Sequence, residues 1–175
     1  MPIIPDTKDW TWVLQRPCPE CGFDASAATP ATVPGAVTGM LPRWRTVLQR
    51  PDAAVRPDDE TWSVLEYACH VRDVFILFDQ RLSLMLTDDD ARFDNWDQDK
   101  AAVEGDYASA NPAVVGAELT TAGERIAASF AGVPEAHWGR KGTRSNGSEF
   151  TVLTFAQYFL HDVVHHLHDV ERVES

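Results

Sequence analysis

Basic residues are scarce in this chain. Fifteen Lys and Arg stand against 27 Asp and Glu, for a net charge of −12. Binding nucleic acid needs clustered cations, and the densest cluster is "RKGTR" at 140–144, so a nucleic-acid partner is excluded. Cysteine is also sparse: there are three, two of them in "CPEC", which suits a reducing compartment better than a disulfide framework. No apolar run approaches the roughly 18 to 20 residues of a membrane span. The N-terminal "MPIIPDTKDWTW" has neither the basic region nor the apolar run of a secretory signal, so the expected location is the cytoplasm, with no membrane partner. Strand signals are nearly missing too, as are internal repeats and low-complexity tracts.

What the chain does have is helical periodicity. Its 175 residues, 44% hydrophobic, are enough for one sizeable core. Residues 1–30, rich in Pro, Ala and Thr, carry no sustained period and read as an irregular arm containing the CxxC; residues 31–175 read as the bundle domain. Val33, Val37, Leu41, Trp44 and Leu48 step at helical spacing, with Pro42 expected to kink that helix. A second helix, about 61–87, carries Tyr67, His70, Val71, Val74, Leu77, Phe78, Leu82 and Met85 on one face, with Asp59 or Thr61 as its expected cap. "TDDDARFDNWDQD" then reads as a polar loop. Asn111-Pro112 is a cap followed by an N1 proline, opening a third helix marked by Val115, Leu119, Ala122, Ile126 and Phe130. A turn-rich connection leads to a fourth helix from Thr151 to Val170. Four amphipathic helices predict an all-α four-helix bundle.

The last helix contains "FLHDVVHHLHDV" at 159–170, with four of the six histidines. On a wheel with His161 at zero, the apolar arc runs from about 120° to about 260°, His166 falls inside it and Asp162 at its edge. His161, His165 and His168 cluster on the opposite side with Thr154 and Gln157. The helix therefore carries two polar pairs. His70 likewise lies within the apolar face of the second helix. An unpaired carboxylate in an apolar interior costs several kcal/mol. A divalent metal held by His70, Asp162 and His166 would satisfy all three groups, with Zn²⁺ the first choice and Ni²⁺ or Fe²⁺ suited to the same donors. The residues alone leave a second reading open, an Asp–His⁺ pair that needs no metal.

These segments resemble the DinB-like superfamily, which includes the YfiT proteins and the mycothiol-dependent maleylpyruvate isomerases, and within it an actinobacterial subgroup. The resemblance rests on "WTWVLQRPCPECGFD", "RWRTVLQRPDAAVRPDDETWSVLEYACHVRDVF" and "NGSEFTVLTFAQYFLHDVVHHLHDV". It implies an up-down-down-up bundle with a divalent metal on one His of the second helix and two residues of the last. Matched position by position, these are His70 of "YACHVRD" and Asp162 and His166, with His161 and His165 as a competing register. An Asp stands where relatives carry His or Glu. The implied activity is metal-dependent transfer or isomerisation using a low-molecular-weight thiol such as mycothiol, with a small electrophile as partner. Metal-assisted hydrolysis and a non-catalytic, stress-associated metal-binding bundle are the alternatives. No Ser-His-Asp order or glycine-rich phosphate loop offers a rival chemistry. The expected state is a monomer or homodimer.

Three further features remain. One CxxC supplies two thiolates where a structural zinc site needs about four ligands, and His161 and His165 would complete a Cys₂His₂ site with Cys18 and Cys21. Cys69 is expected to point away from the core face as a small filler. Arg144 is placed to receive an anionic group, with Trp62 and Trp96 at the pocket mouth.

Overall fold

The computed structural model describes Ile3 and residues 8–172. Its helices are α1 (Val33–Val47), α2 (Val64–Thr87), the short α3 (Gln98–Glu104), α4 (Pro112–Ala131) and α5 (Val152–Arg172). α1 and α2 each pack against both α4 and α5, so α1 lies diagonal to α2 in a four-helix bundle.

Contacts between side chains set the directions. Arg43 pairs with Glu171 near the C-terminal ends of α1 and α5, and Gln157 reaches back to the Ala28 carbonyl just before α1, so α1 and α5 run parallel. On α2, His70 meets Asp162 while Phe78 meets Phe155, which makes α2 antiparallel to α5. Arg72 pairs with Glu118 and Asp79 with Arg125, so α2 and α4 are parallel. The order is up-down-down-up. Phe159, fully buried, packs against Phe75 and Phe78 of α2 and Phe130 of α4.

The second helix starts later than its periodicity predicted. Neither Asp59 nor Thr61 caps it; both lie in a preceding turn closed by an Asp58–Thr61 bridge. Ser63 is the cap, forming a capping box with Glu66. Glu66 also takes a bidentate pair from Arg56, at 2.9 Å to Nε and 2.5 Å to an Nη. Burial pushes the Glu66 carboxyl upward, but the Arg56 and Ser63 hydrogen bonds outweigh it and hold the group below its ordinary range. Glu66→Gln is expected to cost about 2 kcal/mol at neutral pH, less than for a fully buried pair because Arg56 retains access to water. A depressed folded-state pKa gives stability that is present above the ordinary carboxylate range and lost as pH falls through the folded value. The difference between wild type and Glu66→Gln in urea melts should therefore stay constant at neutral pH and vanish in acid.

Strands occur where none were expected. β1 (Ala91–Phe93) pairs parallel with β2 (Lys141–Arg144), which pairs antiparallel with β3 (Glu149–Thr151). The predicted polar loop after α2 thus contains a strand and α3. The sheet closes one end of the bundle, and Gly142 is needed there because a Cβ would lie 2.9 Å from Met85 and from Phe93. The N-terminal arm also packs more closely than its composition suggested. Two short 3₁₀ turns, Thr11–Leu14 and Ala25–Ala27, dock it on α5 with Val13 and Cys18 buried. Cys69 does not point away from the core: it is fully buried within it, and burial pushes its thiol up to about 11. No helix among the described residues is long and apolar enough to cross a membrane.

Candidate metal centre

α2 and α5 bring three polar side chains to one point between them. One ligand atom each from His70, Asp162 and His166 lies within 4.8 Å of the others. His70 Nε2 is 3.4 Å from Asp162 Oδ2, and His166 Nε2 is 3.5 Å from Asp162 Oδ1. The two imidazoles meet edge to face, with centroids 4.7 Å apart. His70 is 1% exposed, while the side chains of Asp162 and His166 retain 30% and 17% exposure, although Asp162 Oδ2, the oxygen that faces His70, is itself buried.

Helix geometry explains the placement. Asp162 and His166 are one turn apart and share a face, and α2 presents His70 between Tyr67 and Val74 on the strip that α5 covers. Trp96 stacks on the His70 ring at 5.4 Å and Trp62 sits 5.6 Å from it, while Tyr67 lies 5.2 Å from His166. Both tryptophans singled out in the sequence thus adjoin the cluster.

The residues fit a divalent cation. His70 Nε2 and Asp162 Oδ2 are buried 3.4 Å from each other in a geometry that falls short of a hydrogen bond, and no other described residue satisfies either atom. Leaving such atoms unsatisfied costs about 1 to 3 kcal/mol each, more for a charge. Burial lowers the His70 pKa despite the nearby Asp162, which keeps its imidazole neutral, the form that ligates. Burial raises Asp162, but His166 and His70 outweigh it and hold the carboxyl ionised, below the ordinary range. Two imidazoles and one carboxylate match the donors of first-row divalent metals, and three protein ligands leave coordination positions over.

The competing register faces elsewhere. His161 and His165 turn toward the arm, where their ligand atoms and those of Cys18 and Cys21 also lie within 4.8 Å of one another. His161, on the side of α5 away from the bundle core, is only 4% exposed, because the arm covers it. Burial and the neighbouring His165 lower its pKa to about 4. Sequence reasoning missed the carboxylates behind His165: Glu20 at 3.2 Å and Asp169 at 3.5 Å from Nε2. Glu20 stands inside "CPEC" itself, and Asp169 four residues beyond His165, a spacing that places both on one helix face.

Arg144 lies on β2 and donates to Tyr158 Oη at 3.3 Å and Ser148 Oγ at 3.3 Å. Tyr158 sits one turn before Asp162 on α5, about 6 Å along the axis. An open cavity of about 380 Å³ borders Arg144, Phe93 and Asp94.

A family model described as the DinB superfamily matches residues 36–170. The solved structure of YfiT from Bacillus subtilis, described as a probable metal-dependent hydrolase with an unusual four-helix bundle topology, superposes with a TM-score of 0.72 at 15% identity, covering 83% of this chain and 87% of that one. No curated protein matches this chain.

Proposed function

Since the chain belongs to the DinB superfamily, we propose that it is a metal-dependent enzyme whose divalent ion is held by His70, Asp162 and His166. In this reading the enzyme uses a low-molecular-weight thiol for S-transfer to, or isomerisation of, a small electrophile in the cytoplasm. The observation that carries the reading is the convergence of three ligand atoms from two helices, one carboxylate among them, within 4.8 Å of one another. A divalent cation bound by these residues would lower the pKa of a coordinating thiol and so supply a nucleophile at neutral pH.

The chain's own groups do the rest. His70, fixed by burial and by Trp96 stacked on its ring, presents a neutral imidazole and needs no reorganisation. Asp162 offsets part of the cation's charge and orients His166. Trp62, Trp96 and Tyr67 surround the imidazoles with aromatic surface, which favours a soft, weakly hydrated sulfur over water. Arg144, hydrogen-bonded to Tyr158, which precedes Asp162 by one turn of α5, supplies a cation for an anionic electrophile.

A second reading, metal-assisted hydrolysis, draws on the description of the YfiT structure, and the same experiment separates the two. Purified protein is analysed for metal and then assayed with mycothiol plus an electrophile, and with ester and amide substrates without thiol. The proposal expects a first-row divalent metal and turnover only with thiol present. Turnover without thiol would select hydrolysis, and protein that holds metal but turns over neither set would leave a binding protein. Arg144→Ala is expected to raise KM for an anionic electrophile about tenfold with kcat little changed, the size of one lost hydrogen bond to a charged group.

A further inference from the structure

The second cluster is not a copy of the first. Its four ligand atoms come from two distant pieces of chain, the CxxC of the arm and the HxxxH of α5, and all lie within 4.8 Å of one another. The spacing C-x₂-C with H-x₃-H is that of closed Cys₂His₂ zinc sites.

The backbone is built for it. After Cys18 the chain folds back on itself: the Gly22 N–H donates to the Cys18 carbonyl at 2.9 Å and the Cys18 N–H to the Phe23 carbonyl at 2.8 Å. Gly22 takes φ +74°, a conformation that glycine adopts without strain, so this turn holds both sulfurs toward α5. Cys18 Sγ is 3.7 Å from His165 Nδ1. On the far side of that ring, Nε2 faces the Glu20 and Asp169 carboxylates. Carboxylates there favour the tautomer with its proton on Nε2, which leaves Nδ1 on the cysteine side free to ligate, an arrangement typical of histidines that ligate zinc. His161 Nε2 is buried with no hydrogen-bond partner among the described residues. Trp10 packs over both histidines, with ring centroids at 5.5 Å, and Phe23 lies 5.7 Å from His161. The cysteines are not joined to each other.

We infer that Cys18, Cys21, His161 and His165 form a second, structural zinc site that clamps the N-terminal arm onto α5. Two thiols release their protons to solvent on binding, and the two thiolates balance the ion's charge, which lessens the cost of burying it beneath Trp10. Four protein ligands close the site, whereas the first cluster has three. His161 and His165 immediately precede Asp162 and His166, so the clamp also fixes the rotation of α5 that turns those two toward His70.

Three readouts test this on the 175-residue chain. Zinc-reconstituted wild type is expected to hold two ions, Cys18→Ser/Cys21→Ser one, and His70→Ala one. Cobalt-substituted wild type and His70→Ala should both show sulfur-to-cobalt charge-transfer absorption, and the double serine variant should not. Peptide mapping after alkylation should find Cys18 and Cys21 protected by zinc and labelled at least tenfold faster after chelation. Absence of the charge-transfer band in cobalt-loaded wild type would overturn the inference, as would equal labelling with and without zinc or recovery of a Cys18–Cys21 disulfide from reduced, zinc-loaded protein. Loss of the first site alone, seen as an ion count that His70→Ala leaves unchanged, strikes the proposed activity and not the clamp.

Discussion

His70→Ala is expected to abolish metal binding at the α2–α5 cluster and, with it, activity. Removing even an outer partner of a ligand costs about 10- to 100-fold in affinity or activity, so loss of a direct ligand should exceed that. The effect is large because His70 is the only one of the three groups on α2. Without it, Asp162 and His166 offer two donors on one helix, and the buried end of the cluster becomes a hole beneath Trp96. Thermal melts add a readout independent of turnover: a ligand that binds only the folded state raises its stability by about 2.7 kcal/mol at 100 times Kd. With the arm cysteines changed to serine to isolate this site, added metal should raise Tm in the otherwise wild-type background and not with His70→Ala. Asp162→Asn should keep the fold and weaken binding, since an amide accepts at one oxygen without charge. Full metal retention in His70→Ala would reject the ligand set.

Phe159→Ala should be the most destabilising single change in the bundle, at about 3 to 5 kcal/mol. Phe159 is fully buried where α5 meets both α2 and α4, with ring centroids 5.4 Å from Phe78 and 5.7 Å from Phe130. Truncation removes the transfer energy of a large ring and leaves a void edged by rigid aromatics that cannot collapse into it. For a chain of this size each kcal/mol shifts Tm by about 2 to 4 °C, so a drop of about 10 °C is expected. Phe159→Leu refills much of the space and should cost about half as much. Urea melts in chelator separate this packing loss from any loss of metal; a Phe159→Ala cost below 1 kcal/mol would show that the core relaxes around it.

The parts of this fold readable from the sequence are those with a repeating physical signal. Val115, Leu119, Ile126 and Phe130 recur at helical spacing, and Asn111-Pro112 marks a start that no other local structure explains as well. The sheet was invisible because its strands are three or four residues long, too short for alternation to register. Ser63 was passed over because Asp59 and Thr61 are equally good cap types; only the Glu66 side chain returning to the Ser63 N–H distinguishes it. At the cluster, the wheel put His166 within the apolar arc and Asp162 at its edge, and in the fold both adjoin His70 of α2. It set His161 and His165 opposite, correctly, but a wheel knows nothing of distant chain. That the arm lies over those histidines follows from tertiary packing, of which the CxxC was the one local hint.

α5 acts as a ruler for both clusters. Its donors alternate as adjacent pairs, His161 with Asp162 and His165 with His166, so each face is read from the same four-residue step. Inserting or deleting one residue inside that step would swing every later donor by about 100° and slide it about 1.5 Å, spoiling both faces in one event. The stretch from 161 to 166 can therefore drift by substitution only, and changes of length must be absorbed elsewhere, in the connections that flank α3 and in the turn between β2 and β3.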